Sequence, residues 1–311
     1  RLGVQAVPPA ELAAPLDIRA DLKGEKVADL AAWEGKIYAR LDRADIAAWQ
    51  AWLPLPFEVR RGHGGVQAWF GLKAGGIGEV TADVRLSDVS TRFAGDLPEL
   101  DLHSLSGRLG WQSLPGGFEF RAQRLGLAAK RGVSLPATDL LVRYVPAQDK
   151  KPASGEIRVN GLALEPLANL ADALPLPPEA RGLLAEIGPQ GSFRDFSVKW
   201  SGDWNAPQRY AAKGGFTGLG MKPHGKLPGF SGLSGNLDAN EKSGTLALDS
   251  HGVRANFPDL FREPLEMDAL TAQMNWKNRE NGLDLNLTSL SLANRHLAGT
   301  LFGSYKMTGG T

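Results

Sequence analysis

The sequence predicts a mainly β protein with a few short helices, laid out as a long, twisted antiparallel meander in two blocks. Apolar residues alternate at period two over much of the chain, as in strands with one buried face. Glycine is abundant, 38 residues in 311, and gathers between the alternating runs where tight turns are needed. One strand–turn–strand phrase is written twice. "LSGRLGWQSLPGGFEFRAQRLGLAA" (105–129) and "LTAQMNWKNRENGLDLNLTSLSLAN" (270–294) align without a gap at a constant offset of 165 residues. Leu105 falls on Leu270, Trp111 on Trp276, Gly117 on Gly282, Leu125 on Leu290 and Leu127 on Leu292. Repeats of this kind indicate units that bury an apolar face only by adjoining a neighbour.

The first segment, 1–56, combines strands with one amphipathic helix. Ile37, Ala39 and Leu41 alternate; over 42–53 the spacing becomes helical, with Ile46, Trp49 and Leu53 on one stripe. Asp42 is placed to cap this helix, Asp45 suits its first turn, and Pro54 and Pro56 end it. The first meander block spans 57–150. Val66, Ala68, Phe70 and Leu72 share one parity, "KAGGIG" turns the chain, and Val80, Ala82, Val84 and Leu86 follow.

A small helical insert, 151–205, separates the blocks. "SGEIRVNGLAL" reads as a strand, and "EPLANLADAL" as a helix with Pro166 near its start and Leu167, Leu170, Ala171 and Leu174 on one face. "PLPP" breaks it. "PEARGLLAEI" is a second short helix with Leu183, Leu184 and Ile187 inward, ended by Gly188-Pro189. "SFRDFSVKW" returns to strand with Phe196, Val198 and Trp200 on one parity, and the second block, 206–311, is again a meander.

A recurrent irregularity cuts across the alternation. Apolar residues of one parity stop, and the next appears five positions on at the other parity: Val84 to Val89, Phe120 to Leu125, Leu248 to Val253 and Leu285 to Leu290. Such a skip turns side chains to the opposite face unless a bulge restores them, so a bulge or sharp bend is expected at all four places.

Charge is balanced, with 35 basic and 34 acidic residues, and nothing draws the chain to nucleic acid. The absence of cysteine excludes thiol catalysis, disulfides and thiolate metal sites, and fits an oxidising compartment. No apolar run approaches the ~18 residues of a membrane-spanning helix. The chain starts at Arg1, without a methionine, and reads as an excised fragment.

No catalytic constellation emerges, and the chain reads as a non-enzyme with no cofactor and no metal. His63, His103, His224, His251 and His296 stand apart from one another at no ligand spacing. Ser234 in "GLSGN" lacks the glycines of a nucleophile elbow. Gly75, Gly76 and Gly78 precede no lysine–threonine pair and fit a hairpin turn better than a phosphate loop. Arg60, Arg61 and His63 form a small basic cluster of the kind found at solvated strand ends, and Asn286-Leu-Thr288 matches a glycosylation acceptor inside an expected strand.

The run "LPGFSGLSGNLDANEKSGTLALDSHGVRANFPDLFREPLEMDALTAQMNWK", with "LSGRLGW…GFEFRAQRLGL" and "AAWQAWLPLP" before it, resembles the AsmA-like superfamily and its YhdP-type envelope proteins. "LALEPLANLADALPLPPEARGLLAEIGPQGSFRDFSVKWSGDW" is similar to the helical insert of that family. The phrases around Trp111, Phe261–Pro264 and Trp276 are its most specific part. The resemblance implies a periplasmic protein anchored to the inner membrane, of long repeating β-groove form, conducting phospholipid towards the outer membrane. Phospholipid and envelope proteins are the partners it implies. It offers no catalytic residues.

A one-sided meander must bury its apolar face, under a second layer or in a curled sheet that accepts a ligand. That face is carried by Leu105, Leu109, Trp111, Phe118, Phe120, Leu237, Leu246, Leu248, Met274, Trp276, Leu283 and Leu285, and the helices are too few to cover it. Bulges would bend such a sheet into an open groove. Each acyl methylene moved into it from water gains roughly 0.8 kcal/mol. The competing expectation is a structural scaffold of the envelope with a closed β core, in which Trp111 and Trp276 are wedges closing a block end.

Overall fold

A computed structural model describes residues 2–7, 15–24, 33–50, 57–73, 76–225, 227–258, 262–280 and 282–308. The mainly β expectation holds: these residues form sixteen antiparallel strands and three short α-helices. The chain divides into two compact units, Arg1–Val145 with Leu170–Leu176, and Pro146–Asn169 with Pro177–Thr311.

The first unit holds β1 (Leu2–Ala6), β2 (Leu16–Lys23), β3 (Glu34–Asp45), β4 (Glu58–Lys73), β5 (Gly76–Arg92), β6 (Leu100–Leu114), β7 (Gly117–Ala129) and β8 (Ser134–Val145). The second holds β9 (Ser154–Ala163), β10 (Gln190–Asp203), β11 (Ala206–Met221), β12 (Gly229–Asn240), β13 (Ser243–Asn256), β14 (Leu265–Arg279), β15 (Gly282–Ala293) and β16 (Ala298–Thr308). Within each unit every strand pairs with the next in the chain, and among the described residues no pairing joins first strand to last. The sixteen-stranded sheet is therefore open. The two-residue link Pro115-Gly116 shows the turn chemistry: proline fixes the first corner, and glycine takes the positive φ of 74° at the second.

The written repeat is a repeated hairpin, β6–β7 in the first unit and β14–β15 in the second. Adding 165 to 100–114 gives 265–279, the bounds of β14, and the same shift carries β5–β8 onto β13–β16 to within two residues at every end.

The helices are short. α1 covers Ile46–Trp49, and its cap is Asp45, not Asp42: the Asp45 carboxylate accepts from the N–H groups of Ala47 (3.0 Å) and Ala48 (3.3 Å). Residues 42–45 instead continue β3, and the expected continuation through Leu53 to Pro54 and Pro56 lies outside the described residues. α2 (Leu164–Leu170) runs into a 3-10 turn, Ala171–Ala173, and α3 (Pro178–Ile187) ends on Gly188. Leu184 and Ile187 are half-buried as expected, but Leu183 is 46% exposed because the ten-residue helix buries only a narrow stripe.

All four parity skips coincide with broken register or left-handed backbone. Asp88 has φ 51° beside a shift between the Ser90 and Ser87 pairings of β4 and β5. Arg124 has φ 50° at the Ala122/Leu125 shift, Gly252 has φ 65° opposite the Ser231/Gly235 shift, and the last skip is the Leu287/Leu290 shift. A further one, unforeseen, sits at Asp195 (φ 44°) in β10, with a shift between Arg194 and Ser197. Each bulge bends its strand while returning apolar side chains to the same face.

Candidate apolar face

Directly opposed residues of an antiparallel pair share a face, so the register can be followed across the strands of each unit. In the first unit one row runs Leu2–Ala20–Ile37–Phe70–Val80–Trp111–Phe120–Val142, one residue from each of the eight strands. The adjoining row is Val4–Ile18–Ala39–Ala68–Ala82–Leu109–Ala122–Leu140. A third, Leu16–Leu41–Val66–Val84–Gly107, crosses β2–β6. None contains a polar side chain.

The second unit repeats the arrangement. Ile157–Val198–Ala212–Ala239–Gly244–Trp276–Leu285–Tyr305 and Leu162–Phe193–Phe216–Gly235–Leu248–Ala272–Leu290–Leu301 each cross all eight strands. Between them Gly214–Leu237–Leu246–Met274–Leu287–Gly303 crosses β11–β16. Trp276 lies flat across Gly244, and Trp200 across Gly155; any side chain on either glycine would collide with the indole. Glycine here makes room for a ring laid along the sheet.

The opposite face is polar. Gln5–Asp17–Arg40–Gln67–Asp83–Arg108–Gln123 crosses β1–β7, and Arg158–Ser197–Lys213–Asp238–Thr245–Asn275–Asn286–Ser304 crosses β9–β16. Arg108 grips Asp83 through two bonds of 2.6 Å, and that hydrogen bonding holds the Asp83 carboxyl below its ordinary range. A shallow cavity of about 1050 Å³ on the first unit is framed by Arg19, Tyr38, Trp69 and Arg108, but both guanidiniums are already paired, with Asp17 and Asp83.

All twelve residues singled out from the sequence fall on the apolar side. Leu109, Trp111, Phe120, Leu237, Leu246, Leu248, Met274, Trp276 and Leu285 belong to the rows above. Leu105 opposes Leu86 and Leu127, Phe118 opposes Tyr144, and Leu283 opposes Met307. None is fully buried: ten are half-buried, while Trp111 and Phe118 are 39% and 37% exposed.

Part of the face is covered. Beyond the bulges of β5–β7, Val89, Leu100, Leu102 and Ala129 are buried together with Leu170 and Ala173, and Leu86, Phe93, Leu105, Leu127, Val133 and Leu174 pack around them. This core occupies one end of the first unit's strands and leaves the three rows outside it.

The YhdP protein family model matches residues 1–311. The chain belongs to the YhdP family. It is 22% identical over 267 residues to the intermembrane phospholipid transporter YhdP of Escherichia coli (strain K12), a match covering 81% of this chain and 20% of that protein. The chain thus spans about a fifth of the length of that relative. No solved structure matches it.

In this YhdP-family chain three of the polar residues weighed for chemistry have ordinary acidic neighbours. Arg60 pairs with Glu58 and Glu99, Arg61 with Asp101, and His224 lies 3.1 Å from Glu186. Among the described residues no three His, Cys, Asp or Glu side chains gather as a metal site, and no helix is long and apolar enough to cross a membrane. Sequence reasoning missed Phe193 and Phe216 in the second unit's rows. The bulge at Asp195 brings Phe193 and Phe196 into a stack at 4.3 Å, and their three-residue spacing hides a shared strand face.

Proposed function

We propose that this chain is a non-enzymatic segment of a phospholipid carrier in the periplasm, holding acyl tails along an apolar β-groove between the inner and outer membranes. The observation that supports this reading is the set of apolar rows, two of them crossing every strand of each unit, whose large side chains, Trp111, Phe120, Leu248 and Trp276 among them, stay half-buried or exposed among the described residues. An isolated soluble sheet would not leave so much contiguous apolar surface to water. The name of the E. coli relative gives the cargo class. Contacts along the rows are apolar and undirected, so a tail gains burial energy without a fixed polar anchor that would arrest it. The twelve residues from Leu105 to Leu285 are its proposed lining.

The test is phospholipid extracted from the purified protein and identified by mass spectrometry, with Leu248→Asp as the variant. Leu248 is half-buried on a row, so Leu248→Asp should remove most bound lipid and leave a folded protein. Val253, 1% exposed, is the control; Val253→Asp buries an unpaired charge and should abolish the cooperative melt. Absence of phospholipid from the unaltered protein, or unfolding of Leu248→Asp like Val253→Asp, would sink the groove and favour the closed scaffold.

A further inference from the structure

We infer that the strap Leu170–Leu174 sets the depth of the apolar trough in the first unit, and with it the acyl-chain length that the trough accepts; this rests on the phospholipid reading above. The apolar face does not end at the third row. It continues through Leu86–Leu105–Leu127 and, past the bulges at Asp88 and Arg124, through Val89, Leu102 and Ala129. On that continuation the chain lays its own hydrocarbon: Leu170 and Ala173 are buried there and Leu174 is packed beside them.

The strap meets the sheet as a lipid tail would. Its backbone bonds are internal, Leu174 N–H to Ala171 O at 3.2 Å and Leu176 N–H to Leu174 O at 2.8 Å, and among the described residues none reaches a strand. Pro175, Pro177 and Pro178 stiffen the chain that leaves it. Only side-chain hydrocarbon joins strap to sheet.

The dimensions agree. From Trp111 to Leu105 is six residues of β6, about 20 Å at roughly 3.3 Å per residue. A bilayer's hydrocarbon core of ~30 Å is two tails deep, so one tail needs ~15 Å. The stretch between the Trp111 row and the strap therefore holds one ordinary tail and little more.

The experiment compares competitive binding of dimyristoyl- and distearoyl-phosphatidylethanolamine by the full-length protein, unaltered and with Leu170→Ala/Leu174→Ala. Removing both leucines should raise the preference for stearoyl over myristoyl about tenfold, the worth of roughly two more buried methylenes. Leu174→Phe, which fills the same end further, should shift the preference towards myristoyl and gives an answer even where the double variant does not fold. An unchanged ratio in the variants that fold overturns the strap's role and leaves the carrier reading standing. Failure of the unaltered protein to bind either lipid overturns both.

Discussion

Glu119 is the residue where burial and charge compete most sharply. Its side chain is 2% exposed, and it sits between Arg121 and Arg143, with Arg143 Nε donating at 2.6 Å. Burial pushes its carboxyl up; the hydrogen bond from Arg143 and the charges of both arginines outweigh this and hold it below its usual value of 4.5. A depressed carboxyl pKa stabilises the fold above the ordinary value, and that contribution declines below it and is lost as pH falls through the depressed, folded-state value. Glu119→Gln should therefore lower stability at neutral pH by about 1–3 kcal/mol. Its melting temperature should converge with that of the unaltered protein in acid, below about pH 4.5; a gap that stays constant into acid would contradict the ion-pair account. The burial itself was not legible in sequence, because alternation assigns Glu119 to a solvated face and cannot foresee two flanking arginines closing over it.

Single strands owe their two-sidedness to the bulges. Asp88 holds φ 51° in the middle of β5, where it lets Val89 rejoin the side occupied by Leu86. A β-branched residue pays about 1–2 kcal/mol in that region, whereas glycine enters freely. Both variants lose the half-buried pair with Lys130, worth about 1 kcal/mol or less; Asp88→Gly should cost only that, and Asp88→Val should be less stable by the backbone term as well, read from the urea midpoints. Equal effects from the two would show that the backbone angle is not what matters. The four skips were readable because each breaks a clean run of alternation by an odd step. The bulge at Asp195 was not, because "SFRDF" offers too few alternating residues before it to define a parity. α1 was read four residues too early for a related reason: Asp42 and Asp45 are both competent caps, and pairing of β3 with β4 as far as Asp45 decides between them.

At the scale of the molecule, sixteen strands follow one another in a single open antiparallel sheet, and the eight strands of each unit are oily on one side and wet on the other. Trp111 and Trp276 stand on apolar rows of different units, whereas Trp69 stands on a polar face under the Arg108 guanidinium at 5.6 Å. Phospholipid brominated on its acyl chains should quench single-tryptophan proteins that retain Trp111 or Trp276 and spare the one that retains Trp69. Quenching of Trp69 alone would place lipid on the wrong face. The antiparallel meander, the repeat and the oily side were all legible, because period two and the 165-residue offset are local properties of the string. The eight-residue rows were not, because they depend on how neighbouring strands are set against each other. Pairing also fixes a spacing. Neighbouring strands lie ~4.8 Å apart, so hydrocarbon travelling across them would meet nearly the same chemistry at each step. Movement over such a washboard has low barriers and no preferred sense. Any net flux must then be imposed at its ends, by supply on one side and removal on the other.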